Sequence, residues 1–100
     1  MAMVELSVVC LGTGTTSVSD VVAVAEREIR ASGLASRLNP MSTTLEGDLG
    51  DIFALVERIH DKLEEAGYGR ISTSIKIDDR RDRPGPRMDA KLKSVEEKLK

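Results

Sequence analysis

Hydrophobic and polar residues alternate along residues 3–11, and this period of two predicts a first β-strand. The apolar positions are Val4, Leu6 and Val8, and the polar positions between them are Glu5 and Ser7. The β-branched content of the segment also favours a strand. Two glycines follow, and we expect the strand to end there.

Two longer segments, residues 18–32 and 48–66, have apolar residues at helical spacing and are predicted to be α-helices. The stripe of the first helix is Val18, Val21, Val22, Ala25 and Ile29. Glu26 and the other charged residues of this helix are assigned to its exposed side. The stripe of the second helix is Leu49, Ile52, Phe53, Val56, Ile59 and Leu63. The predicted N-caps are Ser17 and Asp48, and the predicted stops are Gly33 and Gly67.

Between the helices, residues 34–46 are predicted to be extended, as one bent strand or as two short ones. Pro40 lacks the backbone N–H that a sheet ladder needs, which favours an edge position or a bulge. Residues 70–80 alternate strictly and are predicted to be the last strand. Its inward positions are Ile71, Thr73, Ile75 and Ile77.

A chain break with two prolines, Pro84 and Pro86, separates this strand from a last helix at about residues 87–100. The helix carries a narrow apolar seam, which serves either intramolecular packing or a subunit contact. The seam residues are Met88, Leu92, Val95 and Leu99.

This order of elements predicts a single α+β domain over residues 1–100. It corresponds to a ferredoxin-like β-α-β-β-α-β sandwich with an added C-terminal helix. Both main helices are expected to cover one face of the sheet. The other face then presents short polar side chains, and we expect it to contact a second subunit or a ligand.

The bulk composition limits both the core and the partners. With 40% hydrophobic residues, one Phe, one Tyr and no Trp, the core must be aliphatic. A chain of this size buries only about two-thirds of its unfolded surface, so we expect a homo-oligomer, with a tetramer favoured over a dimer. The net charge of −2 argues against a nucleic-acid partner, because nucleic-acid surfaces need clustered basic residues.

The reactive side chains are few and are given structural roles. The lone Cys10 excludes an intramolecular disulfide and a multi-cysteine metal site, and His60 has no second ligand nearby, so no metal is expected. Cys10 is predicted to be a small apolar group and His60 a partly exposed structural histidine. The charge run at residues 76–83 is expected to form solvated or intersubunit ion pairs. No segment reaches the ~18 apolar residues of a membrane span, so we expect no membrane contact and a cytoplasmic location.

Two polar segments, residues 11–17 and 42–48, carry the functional prediction. Each follows a predicted strand and precedes a predicted helix, so their groups could converge on one small molecule if the strands share a sheet. The first offers backbone N–H groups and hydroxyls at a helix N-terminus, which suit an anion or a polar ring substituent. The second places hydroxyls before Glu46, whose carboxylate can accept from a ring nitrogen and an exocyclic amine. The simpler interpretation of each segment is a turn with its helix cap.

These features favour a binding protein over an enzyme. No nucleophile–base pair, metal cluster or cofactor loop is recognisable in the sequence. The alternative is an oligomeric regulatory or protein-interaction module that has no ligand of this kind.

The chain resembles the small thiamine-binding-like proteins, which have a ferredoxin-like fold, and the resemblance runs in order through nearly the whole sequence. It rests on Leu11-Gly12-Thr13, Ser17, Ser32-Gly33-Leu34, Pro40, Thr43-Thr44, Glu46-Gly47 and the Lys-Ile-Asp-Asp-Arg of residues 76–80. The chain departs from the family pattern at Cys10, where proline is usual, and at Ser42-Thr43, where Gly-Thr is frequent.

The resemblance implies assembly into dimers and tetramers through the sheets. It also implies binding of thiamine or its hydroxymethylpyrimidine part, which some members of the family bind, while many others have no established activity. We expect the site to lie near a subunit interface and to require no other cofactor. Carried over by position, the implied ligand-contacting residues are Gly12, Thr13, Ser17, Thr43, Thr44 and Glu46. By its chemistry, Glu46 is the natural partner of an aminopyrimidine.

Overall fold

The computed structural model describes residues 1–83 and 85–100, and it has the predicted order of elements. These are β1 (Ala2–Cys10), α1 (Ser19–Ser32), β2 (Ala35–Leu38), β3 (Thr43–Gly47), α2 (Leu49–Glu65), β4 (Ile71–Asp79) and α3 (Met88–Lys98). The ferredoxin-like α+β fold with a C-terminal helix is therefore confirmed. Pro84, which belongs to the predicted chain break, lies outside the described residues.

The four strands form one antiparallel sheet in the order β2-β3-β1-β4. The extended stretch before the second helix is two strands joined by a turn, and β2 is an edge strand. In that turn the backbone N–H of Asn39 donates to the carbonyl of Ser42 at 2.8 Å. Pro40 lies inside the turn, so its missing N–H removes no hydrogen bond from the ladder.

Helices α1 and α2 pack on one face of the sheet. The core between the two helices and the sheet is aliphatic, as predicted. Its largest fully buried side chains are Ile29, Leu45, Ile52, Leu55, Ile59, Leu63 and Val4. The prediction was wrong for Phe53, which is 50% exposed, and it missed Leu55. The buried positions of α2 follow a 3-4-4 spacing from Ile52, and Phe53 lies about 100° around the helix from that line.

The helix ends differ in part from the prediction. Ser17 is not the N-cap of α1, because the helix begins after Val18, which makes no side-chain capping bond. Asp48 does occupy the N-cap position of α2, again without a capping bond. At the end of α2, Gly67 has φ 98°, and its N–H and that of Tyr68 return to carbonyls of the last turn in a Schellman motif.

The second face of the sheet is polar, as expected, and α3 lies over one end of it. The pairing register places Glu46, Met3 and Asp78 side by side on this face. The Glu46 carboxylate accepts hydrogen bonds from the backbone N–H groups of Arg87 and Met88, the latter at 2.7 Å. These bonds hold the first turn of α3 on the sheet.

Two ion pairs supplement this attachment of α3. The Arg87 guanidinium donates to Asp78 at 3.1 Å, and Arg37 donates to Asp89 at 3.0 Å. The hydrogen bond from Arg87 keeps the pKa of Asp78 below its ordinary value, so this pair persists as the pH falls toward the usual carboxylate range. Of the predicted seam on α3, only Met88 is buried.

Candidate functional site

Glu46 of the second polar segment lies far from the first segment within one subunit, because β1 and β3 are antiparallel. Glu46 is paired with Met3, near the start of β1, whereas the first polar segment begins after Cys10 at its end. Met3 and Cys10 are separated by about 23 Å at ~3.3 Å per residue. Glu46 and the first segment therefore do not converge on one ligand within a single subunit.

The first segment is an exposed loop whose hydroxyls bond within the loop itself. The Thr13 hydroxyl donates to the carbonyl of Thr15 at 3.1 Å, and the Thr15 hydroxyl accepts from the Ser17 N–H at 3.2 Å. Gly12 and Gly14 adopt φ of 73° and 76°, a backbone region that favours glycine. The loop therefore has a defined turn structure before α1.

The second segment sends its side chains to both faces of the sheet. Thr43 is buried on the face covered by α1 and α2, opposite Leu6. Thr44 and Glu46 point to the polar face. The Thr44 hydroxyl accepts from the Asn39 side-chain amide at 3.0 Å, and Glu46 is engaged by α3. The six residues implied by the resemblance are thus divided between two regions.

The structure brings Thr43 together with a carboxylate that the sequence placed on the exposed side of α1. Glu26 is buried, and its Oε1 accepts a hydrogen bond from the Thr43 hydroxyl at 2.7 Å. The assignment of Glu26 to the exposed side was wrong. The edge of the apolar stripe carries a row at four-residue spacing, which consists of Val22, Glu26 and Arg30. The turn between β2 and β3 covers Glu26, the middle residue of this row. Periodicity alone assigns such a charged residue to solvent, so only the covering turn identifies it.

Glu26 and Thr43 line a groove of about 250 Å³ between α1 and the turn that joins β2 to β3. The rest of this groove is mainly apolar, with walls that include Val18, Val22, Leu38, Pro40 and Met41. Ligand sites combine apolar walls with a few placed polar groups, and this groove has that composition. Its volume suits a single ring better than a drug-sized ligand.

The charge of Glu26 is only weakly compensated. Arg30 Nε lies 3.8 Å from Glu26 Oε2, and the Arg30 side chain is 75% exposed. An exposed ion pair of this kind contributes little. The carboxylate therefore has acceptor capacity for an N–H donor placed in the groove.

Replacing Thr43 by valine should test how much the buried carboxylate depends on its hydroxyl donor. We expect the free energy of unfolding to fall by about 1–3 kcal/mol, because Glu26 loses its buried partner while the side-chain volume is kept. Urea denaturation measures the change. Thr44→Val is the matched control and should cost less, since the partner of Thr44 is a neutral, partly buried amide and not a buried carboxylate. Equal losses in the two variants would contradict the structural importance of the Glu26–Thr43 bond.

A second and larger cleft, of about 690 Å³, lies between α3 and the polar face of the sheet. Its floor includes Glu5, Thr44 and Lys76, which the register places side by side. Its roof includes Leu92 and Val95 of α3. The carboxylates that line this cleft, Glu5, Asp78 and Glu96, are not buried, in contrast to the Glu26 carboxylate of the groove.

The remaining candidates have structural roles, as predicted. His60 Nε2 lies 2.7 Å from the Thr73 hydroxyl. Burial raises the pKa of the Cys10 thiol, which disfavours the nucleophilic thiolate. In the charge run, Arg80 pairs with Asp82, and the resulting hydrogen bond lowers the pKa of Asp82 to about 2.

Neither a metal site nor a membrane span is found in residues 1–83 and 85–100. This part of the chain holds no group of three or more His, Cys, Asp or Glu side chains that could bind a metal ion. Among the described helices, none combines the length and the apolar character needed to cross a membrane.

Comparison with known proteins identifies close relatives over nearly the whole chain. The sequence model of a family described as thiamine-binding protein matches residues 4–96. A UPF0045 protein of Staphylococcus xylosus is 41% identical over 103 residues, covering 99% of this chain and 95% of the relative. A UPF0045 protein of Bacillus subtilis is 37% identical, covering 99% and 98%.

Solved structures show the same fold. A hypothetical protein from Methanocaldococcus jannaschii superposes with a TM-score of 0.83 at 33% identity, over 96% of both chains. A protein of Thermotoga maritima, described as a candidate thiamine biosynthesis/salvage protein, superposes with a TM-score of 0.79 over 94% of this chain and 97% of its own. At 21% identity, that second likeness concerns the fold alone.

Proposed function

The chain belongs to the thiamine-binding protein family, and from that premise we propose that it is a non-enzymatic cytoplasmic binding protein for thiamine or its hydroxymethylpyrimidine part. The observation that carries the proposal is the buried Glu26 carboxylate at the base of an apolar groove. An aminopyrimidine presents N–H donors at the edge of an apolar ring. The groove offers the complementary acceptor and apolar walls.

We place the ligand against Glu26 and Thr43. The Thr43 hydroxyl donates to Glu26 and keeps its own lone pairs for an amine. Among the residues that the structure describes, Glu26 Oε2 pairs only with the guanidinium of Arg30, at 3.8 Å. The loop that carries Gly12, Thr13 and Ser17 leads into Val18 at the groove wall, so we propose that it closes this end of the site. Thr44 and Glu46 face the opposite side of the sheet, where Thr44 lines the cleft beneath α3 and Glu46 anchors the first turn of α3.

The rim of the groove supports a location near a subunit interface. Met41 is 86% exposed, and Leu38 and Val18 are about half exposed. Apolar side chains grouped around a ligand groove are typical of a surface that another chain covers. We therefore propose a homo-oligomer, with a tetramer as the expected form, in which a second subunit approaches this rim.

Isothermal titration with thiamine and, separately, with hydroxymethylpyrimidine tests the proposal. We expect saturable heat with at least one of them. Glu26→Gln should weaken that binding roughly 10- to 100-fold, because an interaction with a charged group is worth about 1.5–3 kcal/mol. Glu57→Gln, an exposed carboxylate on α2, is the matched control and should bind like the wild type.

Two outcomes would contradict the proposal in different ways. If Glu26→Gln binds the ligand with unchanged affinity, Glu26 does not contact the ligand, although the protein still binds it. No heat with either compound, in protein shown to be folded, would contradict the function. The second candidate, a regulatory or protein-interaction module, would then be favoured, and the cleft beneath α3 would be its contact surface.

A further inference from the structure

The groove between α1 and the turn that joins β2 to β3 has a single ionisable side chain in its lining. The residues that form this lining all lie in the described part of the chain, and among them Glu26 is the only acid or base. The remaining polar groups are neutral and belong to Ser7, Asn39, Ser42 and Thr43. The groove therefore places one carboxylate among neutral and apolar groups.

The charged side chains of the surrounding elements lie outside this groove. On the strands they face the other side of the sheet, and they are Glu5, Arg37 and Glu46. On α1, Arg27 and Arg30 are exposed and line a separate surface cavity beside Glu26. The guanidinium of Arg30 lies 3.8 Å from the carboxylate, and α2 contributes no residue to the lining. A ligand in the groove therefore meets the negative charge of Glu26 before any other charge.

An ionised carboxylate only accepts hydrogen bonds, and this restricts what it binds. A neutral aminopyrimidine donates from its amine alone, because each of its ring nitrogens presents a lone pair. Such a lone pair is repelled by a carboxylate oxygen. A proton on the ring nitrogen replaces this repulsion by a charge-assisted hydrogen bond, which is shorter and stronger than one between neutral groups.

The burial of Glu26 strengthens this preference for a cation. The residue is only 8% exposed, and its Oε1 already accepts from the Thr43 hydroxyl. Opposite charges attract more strongly where water is excluded. A nearby negative charge favours the protonated form of a base, so the pKa of a ring nitrogen should be higher in the groove than in solution.

We propose that the groove binds an amino-substituted, basic heteroaromatic ring in its cationic form. The ring takes one proton from the solvent on a ring nitrogen as it binds, and the new N–H donates to the ionised Glu26 carboxylate. No other bond forms or breaks. The inference rests on the proposed function, and it adds the charge state of the ligand and the coupling of binding to pH.

Binding should strengthen as the pH falls toward the pKa of the free ring. Above that pKa, the cation becomes about tenfold rarer with each pH unit, and the apparent affinity should decrease by up to the same factor. Below it, the free ring is already protonated, and the affinity should no longer rise. The pH dependence therefore follows the basicity of the ligand.

Titration calorimetry with hydroxymethylpyrimidine counts the protons. This probe is neutral above its own pKa, whereas thiamine carries a permanent thiazolium charge. The heat of binding is measured about one pH unit above the pKa of the free probe, in phosphate and in MOPS, whose heats of ionisation differ. The difference between the two heats gives the number of protons taken up. We expect close to one proton per bound ligand for the wild type.

Three variants assign this proton to Glu26. Glu26→Gln offers both a donor and an acceptor, which suit the neutral ring, so proton uptake should fall to near zero and the affinity should become independent of pH. Glu26→Asp keeps the charge and should retain proton uptake, even where its shorter side chain weakens binding. Glu57→Gln removes an exposed carboxylate on α2 and should match the wild type.

Ultraviolet absorption reports the protonation state of the ligand without any substitution. The chain has one Tyr and no Trp, so its own absorption interferes little with that of a pyrimidine ring. At the same pH, the difference spectrum of the saturated wild-type complex should match the spectrum of the free probe in acid. In Glu26→Gln it should match that of the neutral probe.

The contrary results can be told apart. Saturable binding without proton uptake, and with the spectrum of the neutral ring, overturns the inference and leaves the proposed function intact. Equal proton uptake in the wild type and in Glu26→Gln overturns it as well, because the proton is then not held by Glu26. If the folded protein binds neither hydroxymethylpyrimidine nor thiamine, the proposed function and this inference fail together.

Discussion

Replacing Leu45 by alanine should lower the free energy of unfolding by about 2–5 kcal/mol. Leu45 is completely buried in β3, where the register places it between Val4 and Ser36. The substitution removes buried apolar atoms and leaves a cavity, because a strand held by neighbours on both sides cannot move inward to fill it. Urea denaturation at a fixed protein concentration measures the loss, since stability of an oligomer depends on concentration.

Phe53→Ala is the informative control for this prediction. Helical spacing places Phe53 in the core stripe of α2, whereas the structure leaves it 50% exposed. We therefore expect a loss clearly smaller than that of Leu45→Ala. A larger loss for Phe53→Ala than for Leu45→Ala would mean that Phe53 lies in the core, as its helical spacing predicts. It would contradict the exposed position of Phe53 in the structure.

The example of Phe53 shows where sequence periodicity succeeds and where it fails. Apolar spacing predicts each helix and strand because burial against a layer requires one apolar side. It does not fix which of two flanking residues points inward, since that depends on the rotation of the helix against the sheet. For this reason the structure buries Leu55 and exposes Phe53, whereas the predicted stripe included Phe53 and omitted Leu55. Ile77 was predicted to point inward and is partly exposed, because β4 is an edge strand.

The candidate site was less predictable than the fold. Thr43 was selected from the polar composition of residues 42–48 and from the family resemblance, and it does line the groove. Its partner Glu26, however, was assigned to the exposed side of α1. The contact joins α1 to a strand 17 positions later, and no local pattern encodes such a contact. Glu46 was selected for its chemistry, yet the antiparallel pairing of β1 and β3 places it at the far end of the sheet, under α3.

Replacing Glu46 by alanine should release α3 from the sheet. The buried carboxylate accepts two backbone N–H groups at the start of the helix, where unpaired donors and the helix dipole favour a negative charge. Removing the carboxylate removes these hydrogen bonds to a charged group, each worth about 1.5–3 kcal/mol. The loss is limited by the total free energy that holds α3 on the sheet. Hydrogen exchange should show the amides of α3 losing protection while those of β1 keep theirs.

The glutamine variant separates the charge of Glu46 from its hydrogen bonds. Glu46→Gln retains an oxygen acceptor and should lose about half as much protection as Glu46→Ala. Glu5→Ala is the matched control, because Glu5 is an exposed carboxylate on the same face of the sheet. If the α3 amides of Glu46→Ala exchange as slowly as those of Glu5→Ala, the carboxylate does not anchor the helix.

The same variant distinguishes the two regions that the sequence joined into one site. If the ligand lies in the groove at Glu26, Glu46→Ala should bind it with nearly unchanged affinity, although α3 is released from the sheet. If the ligand lies beneath α3, the affinity and the protection of the α3 amides should fall together. On the first hypothesis, titration and hydrogen exchange of Glu46→Ala and Glu26→Gln should assign Glu26 to ligand binding and Glu46 to anchoring α3, because each substitution should then change only one of the two measurements.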